Sequence, residues 1–438
     1  MRITKLAVAM TLAAGLTAPT VHAANWLALQ GTEPAGSTDR FKLWGFIQPQ
    51  YSYTGDEKLK AGPWAGQKAV FNQIAPDRDS SNSFQIRRAR LGVRGTNFPL
   101  DSRTNYFLLV EAGHNGITEF DSSVAMTDAS VTFSYIPYAR VRVGQFKYPG
   151  SEEGLQAIHV FDYINFTNVT DQMLLERFLD GDGSDPNDSN GPNGSVGAFR
   201  DIGIQVFDTF DAYGWEHSYA AMLGNGNGLN RTDNNNEKDV YLYWASEKVF
   251  GGKGPRREGW KLFGWLQDGE RTLEFVNGVA GDQDFDRERW GFGTTFRKGP
   301  YRAAAEYIDA DGMIFNGSDG GAVPGSPNNA GTAVASLNIA PNGNAEGYYV
   351  HLGYAVTPKI ELDLRYDYLD RLSNDDNAER EFTTWTLGAQ YFFNKKTRAV
   401  LNYEFRDLEA PELSSSAPPN KIGDSMDDRL SLQVLAIF

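Results

Sequence analysis

Alternation of apolar and polar residues runs through most of this chain, and its clearest stretch is the last. From Arg429 to Phe438, the residues Leu430, Leu432, Val434, Ala436 and Phe438 fall on one face of a strand, because a strand repeats every two residues. Segment 359–369 sets Ile360, Leu362, Leu364, Tyr366 and Tyr368 against Glu361, Asp363, Arg365 and Asp367. Segments 347–356, 383–393 and 398–406 behave alike, with Tyr, Trp, Leu and Val opposite His, Gly, Thr, Asn, Glu and Arg. Charged residues turned into a dry core on several strands would each need a partner. Turned into a water-filled interior, they cost little.

The same template finds sixteen segments, near 40–54, 84–96, 103–113, 127–136, 138–148, 200–208, 214–224, 238–247, 259–273, 286–298, 300–311, 346–357, 359–371, 381–394, 397–408 and 428–438. The first three, and the two between 238 and 273, alternate poorly. Connection length supports the count. Odd gaps are long and polar (55–83, 114–126, 149–199, 225–237, 274–285, 312–345, 372–380 and 409–427), while even gaps are mostly short turns such as Ile136-Pro137-Tyr138 and Lys298-Gly299-Pro300. Gap 248–258 is an exception, longer than a turn should be. Long loops on one side, short turns on the other and an even strand number are the pattern of a bacterial outer-membrane barrel. The fold expected is therefore all-β, a transmembrane antiparallel β-barrel of about sixteen strands.

The third long gap, Pro149 to Phe199, is the longest. It carries Ile158, Phe161, Tyr163 and Leu175, which would be exposed if the loop stood outside, so it is expected to fold into the lumen and narrow it.

Composition adds boundaries. Arg2 and Lys5, the apolar run Leu6 to Leu16 and Val21-His22-Ala23 read as a signal peptide over 1–23, too short in its apolar part to span a bilayer. An N-terminal extension (24–39) and the barrel (40–438) then share about 415 residues. There is no cysteine, which excludes disulfides and thiolate metal sites. Aromatics make up 13% against a hydrophobic total of only 41%, which suits one apolar face around a wet interior. The charge of −15, or −17 without Arg2 and Lys5, argues against nucleic acid as a partner.

Against that negative balance, residues 84–95 are rich in arginine. With Ala89, Leu91 and Val93 turned to lipid, Arg88, Arg90 and Arg94 turn inward, and Arg87 has the parity of a rim or subunit contact. Segment 138–148 repeats the device: Arg140 and Arg142 face in, and Lys147 leads into the long loop. Rows of guanidinium groups favour anions, because they are always charged and match phosphate or carboxylate oxygens. The alternative is a mixed-charge lumen in which these arginines pair with Glu361, Asp363, Asp367 or loop carboxylates, giving a weakly selective pore.

Arg-Arg-Ala-Arg-Leu-Gly at 87–92, Arg-Val-Gly-Gln-Phe-Lys at 142–147, Arg-Asp-Ile-Gly at 200–203 and Asn-Gly-Asn-Gly-Leu-Asn at 225–230 resemble, in this order and spacing, the phosphate-selective porin O and P family. The resemblance implies a sixteen-stranded trimeric barrel, with an arginine ladder and lysines drawing phosphate or polyphosphate inward. It carries over Arg88, Arg90 and Lys147. One departure is the acidic third loop, with Glu152, Glu153, Asp162, Asp171 and Glu176 at odds with a strongly phosphate-trapping pore.

Other patterns reduce to structure. Asp180 to Asp185 looks like a calcium loop, but Asp185 stands where glycine is required. Gly224 to Gly228 lacks the strand–helix setting of a nucleotide loop. The histidines are scattered and show no metal spacing, so no cofactor and no catalytic set is expected. The expected function is passive diffusion of small anions across the outer membrane; an outer-membrane barrel enzyme is the rival reading. Expected partners are small anionic solutes, outer-membrane lipid and, through the C-terminal strand, the barrel assembly machinery.

Overall fold

The computed structural model describes residues 26–29, 39–55, 57–62, 65–66, 71, 82–118, 124–175, 178–185, 196–252, 254–316 and 338–438. The expected leader 1–23 and Glu176 lie outside the described residues. Among the described residues eighteen strands are formed, of which sixteen close into one antiparallel barrel. The first eight are β1 (Lys42–Thr54), β2 (Asn82–Thr96), β3 (Thr104–Ala112), β4 (Ala125–Ile136), β5 (Ala139–Lys147), β6 (Arg200–Ala212), β7 (Trp215–Gly224) and β8 (Asp239–Gly251). Then come β9 (Glu258–Val276), β10 (Val279–Lys298) and β11 (Tyr301–Asp311). The short strands β12 (Ile314–Asn316) and β13 (Asn338–Ala340) pair with each other, within the sixth long loop. The barrel resumes with β14 (Asn344–Thr357), β15 (Ile360–Arg371), β16 (Arg380–Phe392), β17 (Thr397–Glu409) and β18 (Arg429–Ile437).

Closure follows from backbone chemistry: β18 pairs with β1, so no strand edge is left to seek hydrogen bonds in lipid. The outer face is apolar. Leu352, Leu362, Leu387, Leu401 and Leu432 are between 42% and 52% exposed, which a surface in water would not sustain over five strands. Aromatic pairs tie neighbouring strands on that face, with Tyr366 and Trp385 4.7 Å apart between ring centroids and Tyr301 and Tyr354 5.3 Å apart. The opposite face of β15 buries Asp363, Arg365 and Asp367, as its alternation predicts.

All sixteen expected segments fall on barrel strands in order. Gap 274–285 does not survive as a loop. β9 and β10 continue into it and meet at Asn277-Gly278, both at positive φ (52° and 78°), the geometry of a tight Asn-Gly hairpin turn. The poor alternation of β2 also has a cause: Gln48 pairs with Arg88 and Pro49 with Ile86, so Arg87 is the extra residue of a bulge. The bulge resets parity, leaving Phe84, Ile86 and Leu91 outside while Arg87 is buried, not at a rim.

The chain end is stitched to the first strand. Phe438 N–H donates to the Gly45 carbonyl at 3.0 Å, and Gly45 N–H donates to the Phe438 carbonyl at 3.4 Å. A Cβ on Gly45 would lie 2.4 Å from both the Arg90 carbonyl oxygen and the Phe438 ring. Deleting Phe438, or replacing Gly45→Val, is expected to leave unfolded or degraded chain in the periplasm and little heat-modifiable barrel. Normal outer-membrane levels of both variants would contradict this closure.

Candidate pore-lining site

The inward rows of β2 and β5 can now be placed. Arg90 hydrogen-bonds Glu111 of β3, a carboxylate with no exposure, and Arg88 stands 3.8 Å from the same group while its Nη1 donates to Gln48 Oε1 at 3.4 Å. Arg94, four residues beyond Arg90 toward the short-turn end, lies over the Trp44 ring at 5.7 Å. On β5, Arg140 pairs with Asp208 at 2.6 Å, and Arg142 lies 4.5 Å from the Phe207 ring and donates to the Leu27 carbonyl at 3.3 Å. Lys147 Nζ donates to the carbonyls of Gly154 (2.7 Å) and Gln156 (2.6 Å), which ties the base of the third loop to the wall.

Four of these cations come together with one that sequence reasoning left out. Arg88, Arg90, Lys147 and Arg200 surround a cavity of about 30 Å³, with no carboxylate among its described lining residues. Arg90, Arg94, Lys147 and Arg200 border a second cavity of about 240 Å³, where Asp128 is the one acid among the described lining residues. Arg140 and Arg142 border neither. Arg200 is held by Asp128 at 2.9 Å. Its signal was available, since it opens the Arg-Asp-Ile-Gly run. Glu111 and Asp128 carried no sequence signal, because each meets its arginine only through the strand register.

The sequence runs that carry the family likeness also converge. Gly144 and Gly203 face each other in the β5–β6 ladder, and a Cβ on either would lie 2.1 Å from a neighbouring carbonyl oxygen. Gln145 and Asn230 exchange two hydrogen bonds (3.1 and 2.8 Å), and Asp201 accepts from Gly226 N–H at 2.8 Å and from Tyr241 at 3.0 Å. These residues hold the fourth loop against the wall that presents Arg200.

The third loop folds around two short helices, α2 (Glu152–Leu155) and α3 (Asn168–Met173), each started by a hydroxyl cap: Ser151 accepts from Gly154 N–H and Thr167 from Thr170 N–H. Three of its acids are taken by cations of the opposite wall. Glu152 pairs with Lys261 and accepts from Trp26 at 3.0 Å, in the four-residue helix α1 (Trp26–Leu29). Glu153 accepts from Arg365 at 3.2 Å and from Thr167 at 2.8 Å. Asp162 meets Arg256 at 3.1 Å and Arg302 at 3.4 Å; burial alone would raise its pKa, but these guanidiniums hold it well below the usual carboxylate range. Asp171 sits in the first turn of α3. Ile164 N–H donates to Asn402 at 2.8 Å and Asn168 N–H to Asp367 at 2.9 Å, so the loop bonds inward-facing side chains of β15 and β17. Glu361 and Asp363, considered above as partners of the β2 arginines, are instead taken by Arg302, and Glu361 also by Arg256 at 2.9 Å. Arg256 comes from the overlong gap, which β8 and β9 shorten to residues 252–257.

No group of three or more His, Asp or Glu residues able to hold a metal occurs among the described residues. In the run 180–185, Asp182 accepts from the Ser184 N–H at 2.9 Å, within a turn.

A closed barrel of sixteen antiparallel strands with an apolar outside and a charged inside defines an outer-membrane porin. This chain belongs to the phosphate-selective porin O and P family, whose model matches residues 60–409. Among solved structures, the anion-selective porin from Comamonas acidovorans superposes with a TM-score of 0.53 at 15% identity, over 91% of this chain and 100% of that one. The Salmonella typhi OmpF complex with daunomycin gives 0.52 at 14% identity, over 91% and 98%. At such identity the likeness is one of fold. Comparison with curated proteins gives no match.

Proposed function

We propose that this porin passes small anions, phosphate among them, by passive diffusion through a passage narrowed by the third loop and bordered by Arg88, Arg90, Arg94, Lys147 and Arg200. One observation carries the reading: in a chain of charge −15, the described residues that line the small cavity between β2, β5, β6 and the loop include four cations and no carboxylate. Low-dielectric walls strengthen each charge in so narrow a zone, whereas acids on outer loops are screened by salt. The family description, phosphate-selective, supports the same reading. In this reading Arg140 and Arg142 are wall residues rather than steps of the ladder. The leader 1–23 exports the chain, the C-terminal strand presents it to the assembly machinery, and the working unit is a homotrimer.

Phosphate added to a chloride-conducting channel is expected to lower the chloride current, by competing for the same guanidinium groups. Phosphate that leaves the current unchanged, at concentrations where it carries none itself, would contradict the proposal. A general, weakly selective pore is the second reading, favoured by the pairing of Arg90 with Glu111 and of Arg200 with Asp128.

A further inference from the structure

The larger cavity has walls that inorganic phosphate does not need. Trp44 and Phe107 present nearly parallel rings with centroids 6.1 Å apart, and the His159 ring stands 5.7 Å from Trp44. Desolvation, reinforced by Arg90, Arg398, Lys147 and Arg94, lowers the His159 pKa to about 3, so this ring adds a neutral face and not a charge. Beside these rings stand four cations, of which Arg90 is met by Glu111 from behind and Arg200 by Asp128, the one carboxylate among the described lining residues. Buried positive charge in excess calls for an anion. Flat aromatic faces call for a ring to stack on them.

We propose that this cavity is a binding subsite for one-ring aromatic carboxylates, with the carboxylate at the arginine end and the ring against Trp44 and Phe107. A guanidinium fork matches the two carboxylate oxygens. The guanidinium of Arg94, 5.7 Å from the Trp44 ring, brings charge and aromatic face within the span of one small molecule. The size agrees, since the cavity holds about 240 Å³ and one of roughly 150 Å³ takes benzene. The proposal rests on the anion-channel reading and deepens it, naming a solute class for the same passage.

The test uses the mature full-length channel in planar bilayers carrying chloride current, with benzoate and acetate added separately. Benzoate is expected to block at about tenfold lower concentration than acetate, the gain of one ring stacked on aromatic side chains. The variant Trp44→Leu with Phe107→Leu keeps every cation and is expected to bring the two acids within about twofold of each other. Equal block by benzoate and acetate in the unaltered channel, a comparison that needs no variant, would overturn the subsite. So would a tenfold preference that survives in the double variant. The reversal potential in the same membranes separates the two levels: a chloride-preferring channel indifferent to the ring refutes the subsite alone, and a potassium-preferring channel refutes the reading beneath it.

Discussion

Replacing Arg88 and Arg90 together by alanine is expected to lower the chloride-to-potassium permeability ratio by about tenfold or more. Both guanidiniums lean on Glu111, which has no exposure of its own. Around this wall the native residues are Arg88, Arg90, Lys147 and Arg200 against Glu111 and Asp128. In the variant only Lys147 and Arg200 stand against the same two acids, and the amine of Lys147 is occupied by two loop carbonyls. Glu111 is left buried without its cations and becomes a cation-attracting group. The opposite change, Glu111→Gln, is expected to raise anion preference. Arg140→Ala should have a smaller effect: the residue is partly exposed and borders neither cavity, so salt screens it. A ratio that does not move in the double variant would remove these arginines from the selective zone.

The second large effect is expected at Glu153. Its carboxylate joins Arg365 of β15, only 1% exposed, to the N-terminus of α3 through Thr167. Removing one member of a buried pair costs about 3–5 kcal/mol, because the remaining charge has no water to turn to. The barrel ladder is untouched, so this cost falls on the seating of the third loop. Glu153→Ala is expected to give a fully heat-modifiable barrel with larger and noisier single-channel conductance, and Glu153→Gln, which keeps an acceptor, a milder form. Native conductance in Glu153→Ala would contradict a passage narrowed by this loop.

How much of this was legible in the chain depends on the distance over which each feature is encoded. Strands were legible because alternation is local: the period of two holds wherever lipid covers one face. It failed at β2 because a single residue, Arg87, is inserted at a bulge, and a bulge shows only against the partner strand. The β9–β10 hairpin departs from the expected long loop because Asn277-Gly278, a strong local turn signal, overrides the alternation of long and short connections.

The candidate site was half legible. Inward parity put Arg88 and Arg90 on the lumen side, where both are buried, since parity too is local; Lys147 came only from the family resemblance, because the parity of Val141 and Val143 would have turned it to lipid. Their counter-charges were not, because Glu111 meets Arg90 across a strand pair and Asp128 meets Arg200 from 72 residues away. The acidic third loop misled for the same reason. Glu152, Glu153 and Asp162 weigh against an anion channel only until Lys261, Arg365, Arg256 and Arg302 are seen to take them.

The central claim is that a chain of net charge −15 encloses a passage selective for anions. The most direct test is the zero-current potential of the unaltered channel in a planar bilayer separating two concentrations of potassium chloride. A potential whose sign reports chloride moving more readily than potassium is the predicted result. A potential of the opposite sign, with potassium the more permeant ion, would contradict it.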